Sequence, residues 1–253
     1  MVKEQENLIY KLGLLGKNIS YSFSKSYFKK KFEDEQINHI TYRNFDIDHI
    51  ELFTSILNNT THLKGLNVTI PYKESVIPFL DKISKKAEAI GAVNTIKITK
   101  KGKLIGYNTD CYGFSKSLKP LLKSHHKKAL ILGTGGASKA VAYSLKKLNI
   151  AYYYVSRKDS KRVSYTYESL TKSIIKAHPI IINCTPLGTF PNIDDCPKIP
   201  YDGITNKHLL FDLIYNPTET KFLRLGKENM AITTNGLNML KLQAEKAWTI
   251  WNL

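Results

Sequence analysis

The chain has 253 residues, 42% of them hydrophobic, which is enough for one large domain or two of ordinary size around a substantial core. Its formal net charge is +17, but only four of the 38 basic residues are arginine and the lysines are spread along the chain, which favours a solvated surface over a nucleic-acid-binding face. Long apolar runs, a signal-peptide core and paired cysteines are absent from the sequence, so we expect a cytoplasmic protein with no membrane span, disulfide scaffold or metal site.

The first region alternates predicted strands and helices. Strands are predicted at residues 9–16, 42–45 and 63–70, and helices after an N-cap at Ser24 and near residues 48–57. This β-α-β order implies a parallel sheet. Helices at residues 73–80 and 81–90 and strands at residues 93–98 and 103–107 complete a mixed α/β region.

A second β-α series begins near residue 127. A strand at residues 129–132, a glycine turn, a helix at residues 137–148 and a strand at residues 151–155 have the order of a mononucleotide-binding half of a Rossmann fold. Further strands are predicted at residues 180–183, 209–213 and 231–234, and a helix with an apolar stripe over residues 237–251.

These elements predict two α/β domains with a cleft between them. We expect a mixed α/β substrate-binding and catalytic domain over residues 1–111, joined by the C-terminal helix at residues 237–253. A Rossmann-like dinucleotide-binding domain is expected over residues 112–236.

The glycine turn is the predicted cofactor site. A strand precedes it and a helix follows, so its backbone N–H groups are suited to holding a pyrophosphate. Its residues are Gly133, Thr134, Gly135, Gly136, Ala137 and Ser138.

The residues at the end of the next strand are expected to determine the specificity for NAD or NADP. An acidic residue there accepts the ribose hydroxyls of NAD, whereas cations accommodate the 2′-phosphate of NADP. Ser156, Arg157 and Lys158 stand at this position with Lys161 close behind, which favours NADP, although Asp159 in the same loop leaves NAD open.

Three polar segments of the first region each adjoin a predicted strand: residues 67–73, 91–95 and 106–110. They supply one ammonium group, Lys73, one carboxylate, Asp110, and several neutral groups, including Asn94. Reduction of a ketone leaves an oxygen that must gain a proton, so an ammonium oriented by a carboxylate is a suitable acid. We therefore predict Lys73 and Asp110 as a catalytic pair.

The order of these motifs resembles the shikimate dehydrogenase family over nearly the whole chain. The matching segments are residues 16–26, 67–73, 91–95, 108–110, 183–188, 212–215 and 235–240, followed by Gln243. The resemblance implies reversible NADPH-linked reduction of 3-dehydroshikimate to shikimate, a step in chorismate and aromatic amino-acid biosynthesis.

The resemblance also implies residue roles. Ser22 and Ser24 would bind the substrate carboxylate, and the ring hydroxyls would contact Thr69, Asn94, Asp110 and Gln243, with Tyr215 nearby. Thr185, Leu213 and Gly236 would join the cofactor site. The chain departs from the family pattern by lacking the usual proline and histidine before Ser22 and by carrying Asn235 and Asn238 in the closing segment.

Three alternatives remain open. The nearest is a quinate/shikimate dehydrogenase that uses NAD, and the others are a catalytically silent binding protein and a basic nucleic-acid-binding module. The sequence is compatible with either a monomer or a homodimer.

Overall fold

A computed structural model describes residues 8–20 and 22–252, which form two compact units. The first unit comprises residues 1–109 and 244–253, and the second comprises residues 110–243, as far as these ranges are described. The first break in the chain therefore falls after Thr109, two residues earlier than the predicted domain boundary. The second break falls within the C-terminal helix.

The first unit is built on a mixed six-stranded sheet, as predicted. Its strands are β1 (Tyr10–Gly16), β2 (Ile40–Asp46), β3 (Leu63–Val68), β4 (Lys82–Ile83), β5 (Thr95–Ile98) and β6 (Leu104–Tyr107). They follow the order β2-β1-β3-β5-β6-β4. Strand β1 is parallel to both β2 and β3, which confirms the predicted parallel part.

The antiparallel strands of this sheet bring the three polar segments to one edge. Asn67 at the end of β3 pairs with Thr95 at the start of β5. Thr95 in turn pairs with Tyr107 at the end of β6. The residues that follow β3, precede β5 and follow β6 must therefore lie side by side.

The helices of the first unit are α1 (Phe23–Asp34), α2 (Phe53–Asn59) and α3 (Lys85–Ile90), with 3₁₀ segments at Ile50–Leu52 and Ile77–Phe79. The N-cap of α1 is Ser22 and not the predicted Ser24, because the Ser22 hydroxyl accepts a hydrogen bond from the N–H of Lys25. Ser24 lies inside the first turn and is buried.

The prediction of a helix at residues 73–80 is wrong. Turns and the short Ile77–Phe79 segment replace it, because the carbonyl of Lys73 accepts from Val93 N–H at 2.7 Å instead of from a following helical turn. The helix predicted at residues 81–90 is also too long. Strand β4 occupies its start, and Ser84 caps the shorter α3.

The second unit contains a six-stranded parallel sheet. Its strands are β7 (Lys128–Leu132), β8 (Ala151–Ser156), β9 (Tyr165–Thr166), β10 (Ile180–Asn183), β11 (Leu209–Asp212) and β12 (Ile232–Thr234). They follow the order β12-β11-β10-β7-β8-β9. Numbered within the unit, the central strands have the arrangement of a Rossmann fold, which confirms the prediction. The strand order reverses between β7 and β10, where such folds bind their ligands.

The helices of the second unit are α4 (Asp110–Leu118), α5 (Gly136–Lys147), α6 (Lys172–Ala177) and α7 (Lys221–Glu228), with 3₁₀ segments at Lys119–Leu121 and Tyr201–Gly203. Two apolar clusters surround its sheet, and the rings of Phe114 and Phe211 are 5.0 Å apart in one of them. Strand β7 is buried from Ala129 to Leu132 because its alternate side chains enter the two clusters.

The C-terminal helix α8 (Leu237–Trp251) begins in the second unit and belongs to the first from Ala244 onward. Its later residues Ala244, Ala247 and Trp251 pack with Phe28 in a buried cluster of the first unit. Trp251 Nε1 donates to the carbonyl of Ile96 at 2.9 Å. Among the described residues, no helix has both the length and the apolarity needed to cross a membrane.

We predict that Gly65→Ala destabilises the first unit. The added methyl group would collide with the Trp251 indole and the backbone at Ile96, so the end of α8 would have to shift. Overpacking of this kind costs about 1–3 kcal/mol, measurable by urea unfolding. Lys86→Ala is the control and should leave the stability nearly unchanged, because Lys86 is exposed on α3 of the same unit. Equal stability of wild type and Gly65→Ala would contradict the packing described.

Candidate active site

The two serines predicted to bind a carboxylate lie at the start of α1, Ser22 as its N-cap and Ser24 in its first turn. Ser22 Oγ donates to Asn44 Oδ1 at 3.1 Å, and it also caps the helix. Ser24 forms a side-chain hydrogen bond with Tyr42, which acts against the burial that raises the pKa of the Tyr42 hydroxyl. Both serine hydroxyls are therefore held by neighbours on β2.

Strand β2 also holds the loop that precedes these serines. The Asp46 carboxylate accepts from the N–H groups of Asn18 and Ile19 at 2.8 and 3.0 Å. Asn44 Nδ2 donates to the carbonyl of Ile19 at 2.7 Å. These contacts fix the segment that lacks the family's usual proline. The residue in place of the usual histidine, Tyr21, lies outside the described residues.

Lys73 lies in the turn after β3 and is half-buried. The turn is fixed at two further points, since Thr69 N–H donates to the carbonyl of Leu15 at 2.9 Å and Tyr72 Oη donates to the carbonyl of Ile47 at 2.7 Å. With the Val93–Lys73 backbone bond, these contacts hold the backbone of the predicted acid in one place.

Asn94 joins the second and third polar segments. Its Oδ1 accepts from the N–H of Thr109 at 2.7 Å, and its Nδ2 donates to Thr109 Oγ1 at 3.0 Å. Its backbone carbonyl accepts from Val68 N–H at 2.9 Å, and its N–H donates to the carbonyl of Tyr107 at 3.0 Å. One buried residue thus connects the ends of β3 and β6.

Buried residues extend this hydrogen-bonded cluster toward Ser24 in the first turn of α1. Tyr42 Oη donates to Asn67 Oδ1 at 2.8 Å. Asn67 Nδ2 donates to Thr95 Oγ1 at 3.3 Å and to the carbonyl of Asn94 at 3.4 Å. Sequence patterns assign Tyr42 no role, because its contact with Asn67 depends on strand register.

Asp110 directly follows Thr109 and begins α4, the first element of the second unit. It is buried, and a carboxylate in the first turn of a helix interacts favourably with the helix dipole. Gln243 is buried on α8, and its Nε2 donates to the carbonyl of Leu240 at 3.0 Å. Tyr215 is half-buried in the segment after β11.

The glycine turn has the geometry that a phosphate site requires. Gly133 has a φ of 98°, and its N–H donates to the carbonyl of Val155 at 2.8 Å. Gly135 is the N-cap of α5, and a side chain there would enter open space, so the approach to the helix start is clear. Ser138 is buried, and its Oγ donates to the carbonyl of Gly135 at 2.6 Å, which tightens the turn.

The remaining turn residues are accessible. Thr134 is exposed, and Gly136 and Ala137 are half-buried. At the end of β8, Ser156 is half-buried, whereas Arg157, Lys158 and Lys161 are exposed. These cations lie on the loop at the carboxyl end of the strand next to the turn, where the adenosine ribose of a dinucleotide is expected.

Thr185 stands directly beside the glycine turn. A Cβ added at Gly133 would lie 3.0 Å from the Thr185 methyl group, so the end of β10 packs on the end of β7. This is the point where the strand order reverses. Thr185 Oγ1 donates to Asn183 Oδ1 at 2.6 Å, and Leu213 N–H donates to the carbonyl of Asn183 at 3.0 Å.

In the closing segment, Asn235 stands where the family pattern has an aspartate. Asn235 Oδ1 accepts from the N–H of Leu237 at 3.1 Å and its Nδ2 donates to the carbonyl of Thr218 at 2.8 Å, which secures the start of α8. Gly236 admits no Cβ, because the carbonyl of Leu213 occupies that space. Asn238 is exposed on the first turn of α8.

Comparison with known proteins identifies the family. Residues 14–96 match the family model of the shikimate dehydrogenase substrate binding domain. A shikimate dehydrogenase (NADP(+)) from Clostridium beijerinckii is 41% identical, with 94% of this chain and 90% of that protein covered. The chain belongs to the shikimate dehydrogenase family.

Further members agree with this assignment. The shikimate dehydrogenase (NADP(+)) of Methanococcus vannielii is 37% identical, with 95% of this chain and 90% of that protein covered. A crystal structure of shikimate 5-dehydrogenase from Thermus thermophilus, in complex with NADP(H) and shikimate, matches with a TM-score of 0.84. It is 27% identical, with 96% of this chain and 93% of that chain covered.

One buried carboxylate in this family member lies beside the predicted cofactor residues. Burial raises the pKa of Asp212 from 3.8 to about 6, although hydrogen bonds from Thr220, Ile214 and Asn183 oppose the shift. The ionised form is thus less favourable in the folded than in the unfolded chain. Our sequence reasoning assigned Asp212 no role, although a charged residue closing a buried apolar strand marks such a position.

We predict that Asp212→Asn stabilises the protein more at pH 7.5 than at pH 4.5, relative to wild type. A raised folded-state pKa means that the group's stabilising contribution is complete below 3.8 and is lost as the pH rises through about 6. Differential melting temperatures at the two pH values test this. Asp202→Asn, on an exposed side chain of the same unit, is the control. A difference between wild type and Asp212→Asn that does not change with pH would reject the assignment.

Proposed function

We propose that this protein catalyses the reversible NADPH-linked reduction of 3-dehydroshikimate to shikimate. The observation that carries the proposal is the hydrogen-bonded cluster around Asn94, which lies in the unit that matches the family's substrate-binding domain. Its neutral oxygen and nitrogen atoms suit a ligand with several hydroxyl groups and little apolar surface.

Ser22 and Ser24 bind the substrate carboxylate in this proposal. The Lys25 N–H holds the Ser22 oxygen in place, and the one proton of this hydroxyl, now donated to Asn44 Oδ1, would turn to the carboxylate on binding. Thr69, Asn94 and Gln243 hold ring hydroxyls, with Tyr215 close to them. Such preorganised contacts lower the entropic cost of binding.

Lys73 acts as general acid and Asp110 orients its ammonium group. When bound, NADPH supplies the hydride that is transferred to the C3 carbon of the substrate. Lys73 then donates a proton to the oxygen at C3, and in the reverse direction it accepts that proton. The fixed backbone of the turn serves this step, because proton transfer requires a donor within hydrogen-bonding reach.

The residues of the second unit fit NADP. Backbone N–H groups at the start of α5, from Gly135 to Ser138, would hold the pyrophosphate. Arg157, Lys158 and Lys161 would accommodate the 2′-phosphate, and Thr185, Leu213 and Gly236 would line the nicotinamide end. We place the enzyme in the cytoplasm as a monomer or homodimer that does not bind nucleic acid.

The purified protein is expected to reduce NADP⁺ in the presence of shikimate, with a rise in absorbance at 340 nm. NADP⁺ is expected to give the higher kcat/KM than NAD⁺ because of the cations after β8. Quinate in place of shikimate tests the nearest alternative, the quinate/shikimate dehydrogenase that uses NAD. A lack of turnover with every pair of substrate and cofactor would sink the proposal and favour a silent binding protein.

Lys73→Ala is expected to lower kcat by about 10²–10⁴ with a much smaller effect on the KM for shikimate, as for loss of a general acid. Steady-state kinetics in both directions measure this. Lys86→Ala, an exposed lysine of the same unit, is the matched control and should leave kcat unchanged. An unaltered kcat in Lys73→Ala would refute the role of Lys73.

A further inference from the structure

Asp212 and Asn183 form a buried polar pair at the ends of β11 and β10. Both side chains are fully buried, and Asn183 Nδ2 donates to Asp212 Oδ1 at 3.0 Å. Each residue closes a strand whose preceding residues are all apolar and buried. A carboxylate and an amide buried among apolar residues cost free energy unless their polar atoms are hydrogen-bonded.

The Asp212 carboxylate fixes the segment that follows β11. Its Oδ1 also accepts from the N–H of Ile214 at 3.0 Å, and its Oδ2 accepts from Thr220 Oγ1 at 2.6 Å. Ile214 in turn accepts through its carbonyl from Gly236 N–H at 2.9 Å. The Asp212 carboxylate therefore fixes the backbone on either side of Leu213. It is linked to Gly236 through the backbone of Ile214.

The Asn183 amide fixes the segment that follows β10. Its Oδ1 accepts from both the N–H and the Oγ1 of Thr185, at 3.0 and 2.6 Å. Asp212 sets the orientation of this amide, because the contact at Nδ2 leaves Oδ1 facing Thr185. A rotated amide would present its NH₂ group to a backbone N–H.

We propose that Asp212 and Asn183 are positioning residues for NADP, acting through Thr185, Leu213 and Gly236. The inference rests on the proposed function, since it assumes that these three residues contact the cofactor. Neither side chain of the pair reaches the surface, so neither binds the cofactor itself. Together they connect all three predicted contacts at the nicotinamide end of the site.

The ionised Asp212 disfavours folding at neutral pH, which a purely structural residue would not be expected to do. Burial raises the pKa of Cys184 and of Tyr201, and the negative charge of Asp212 raises both further. The positioning role explains why a carboxylate stands in a setting where an apolar side chain would pack without this cost.

A second charge in the pair tests the proposal. Asn183→Asp places another carboxylate beside Asp212 and removes the donor at Nδ2, so it is expected to raise the KM for NADP⁺ at least tenfold while the KM for shikimate stays within twofold. Asn206→Asp, on an exposed side chain of the same unit, is the control and should change neither KM.

A second comparison covers the case in which Asn183→Asp alone does not fold. Asp212→Asn alone removes a buried charge and is expected to raise the NADP⁺ KM about fivefold, consistent with the loss of a charge-assisted hydrogen bond. Asp202→Asn, at an exposed carboxylate of the same unit, should leave the NADP⁺ KM unchanged. An unchanged NADP⁺ KM in Asp212→Asn, or equal changes in the KM values of both substrates, would overturn the proposal.

The wild-type protein separates this inference from the proposed function. NADP⁺ should raise its melting temperature, because a ligand that binds only the folded state stabilises it. Absence of that shift, together with absence of turnover, counts against the proposed function. A normal shift and normal turnover in wild type, with an unchanged NADP⁺ KM in Asn183→Asp, counts against the positioning pair alone.

Discussion

The buried hydrogen bond between Asn94 and the backbone of Thr109 is the contact on which the candidate site depends. At 2.7 Å it joins the residue before β5 to the second residue after β6. The backbone of Asn94 is also hydrogen-bonded to Val68 at the end of β3 and to Tyr107 at the end of β6. Asp110 directly follows Thr109 in the chain. The Lys73 carbonyl accepts a hydrogen bond from the N–H of Val93, the residue before Asn94. Because interior polar groups must be paired, the fold and the site are stabilised by the same bonds.

The second unit uses the same device with a charge in place of a neutral amide. Asn183 and Asp212 close two strands of its sheet and hold the loops that follow, as Asn94 does in the first unit. The carboxylate costs stability at neutral pH, whereas Asn94 carries no charge. In the proposed function, the neutral cluster of the first unit binds hydroxyl groups, and the charged pair of the second unit fixes the loops beside the cofactor.

Much of this architecture is predictable from sequence because short apolar runs bounded by turn residues mark the buried strands. The strand predicted at residues 180–183 has those bounds in the structure, and the Rossmann order follows from the β-α alternation. The failures are local. Ser22 and Ser24 are both suitable caps, and only the contact with Lys25 distinguishes them. The helix predicted from Lys73 does not form because the Lys73 carbonyl accepts a hydrogen bond from Val93, 20 positions further along the chain. Pairings such as Tyr42 with Asn67 depend on strand register, which single-sequence patterns do not determine.

A crystal structure with NADP⁺ and shikimate bound tests the central claim most directly, namely that the polar segments deliver Lys73 and Asp110 to the reacting oxygen. The account predicts that Lys73 Nζ and an Asp110 carboxylate oxygen both lie within about 3.5 Å of one shikimate hydroxyl. The shikimate carboxylate should contact Ser22 and Ser24. Shikimate bound with Lys73 and Asp110 both beyond hydrogen-bonding distance of its ring would contradict it.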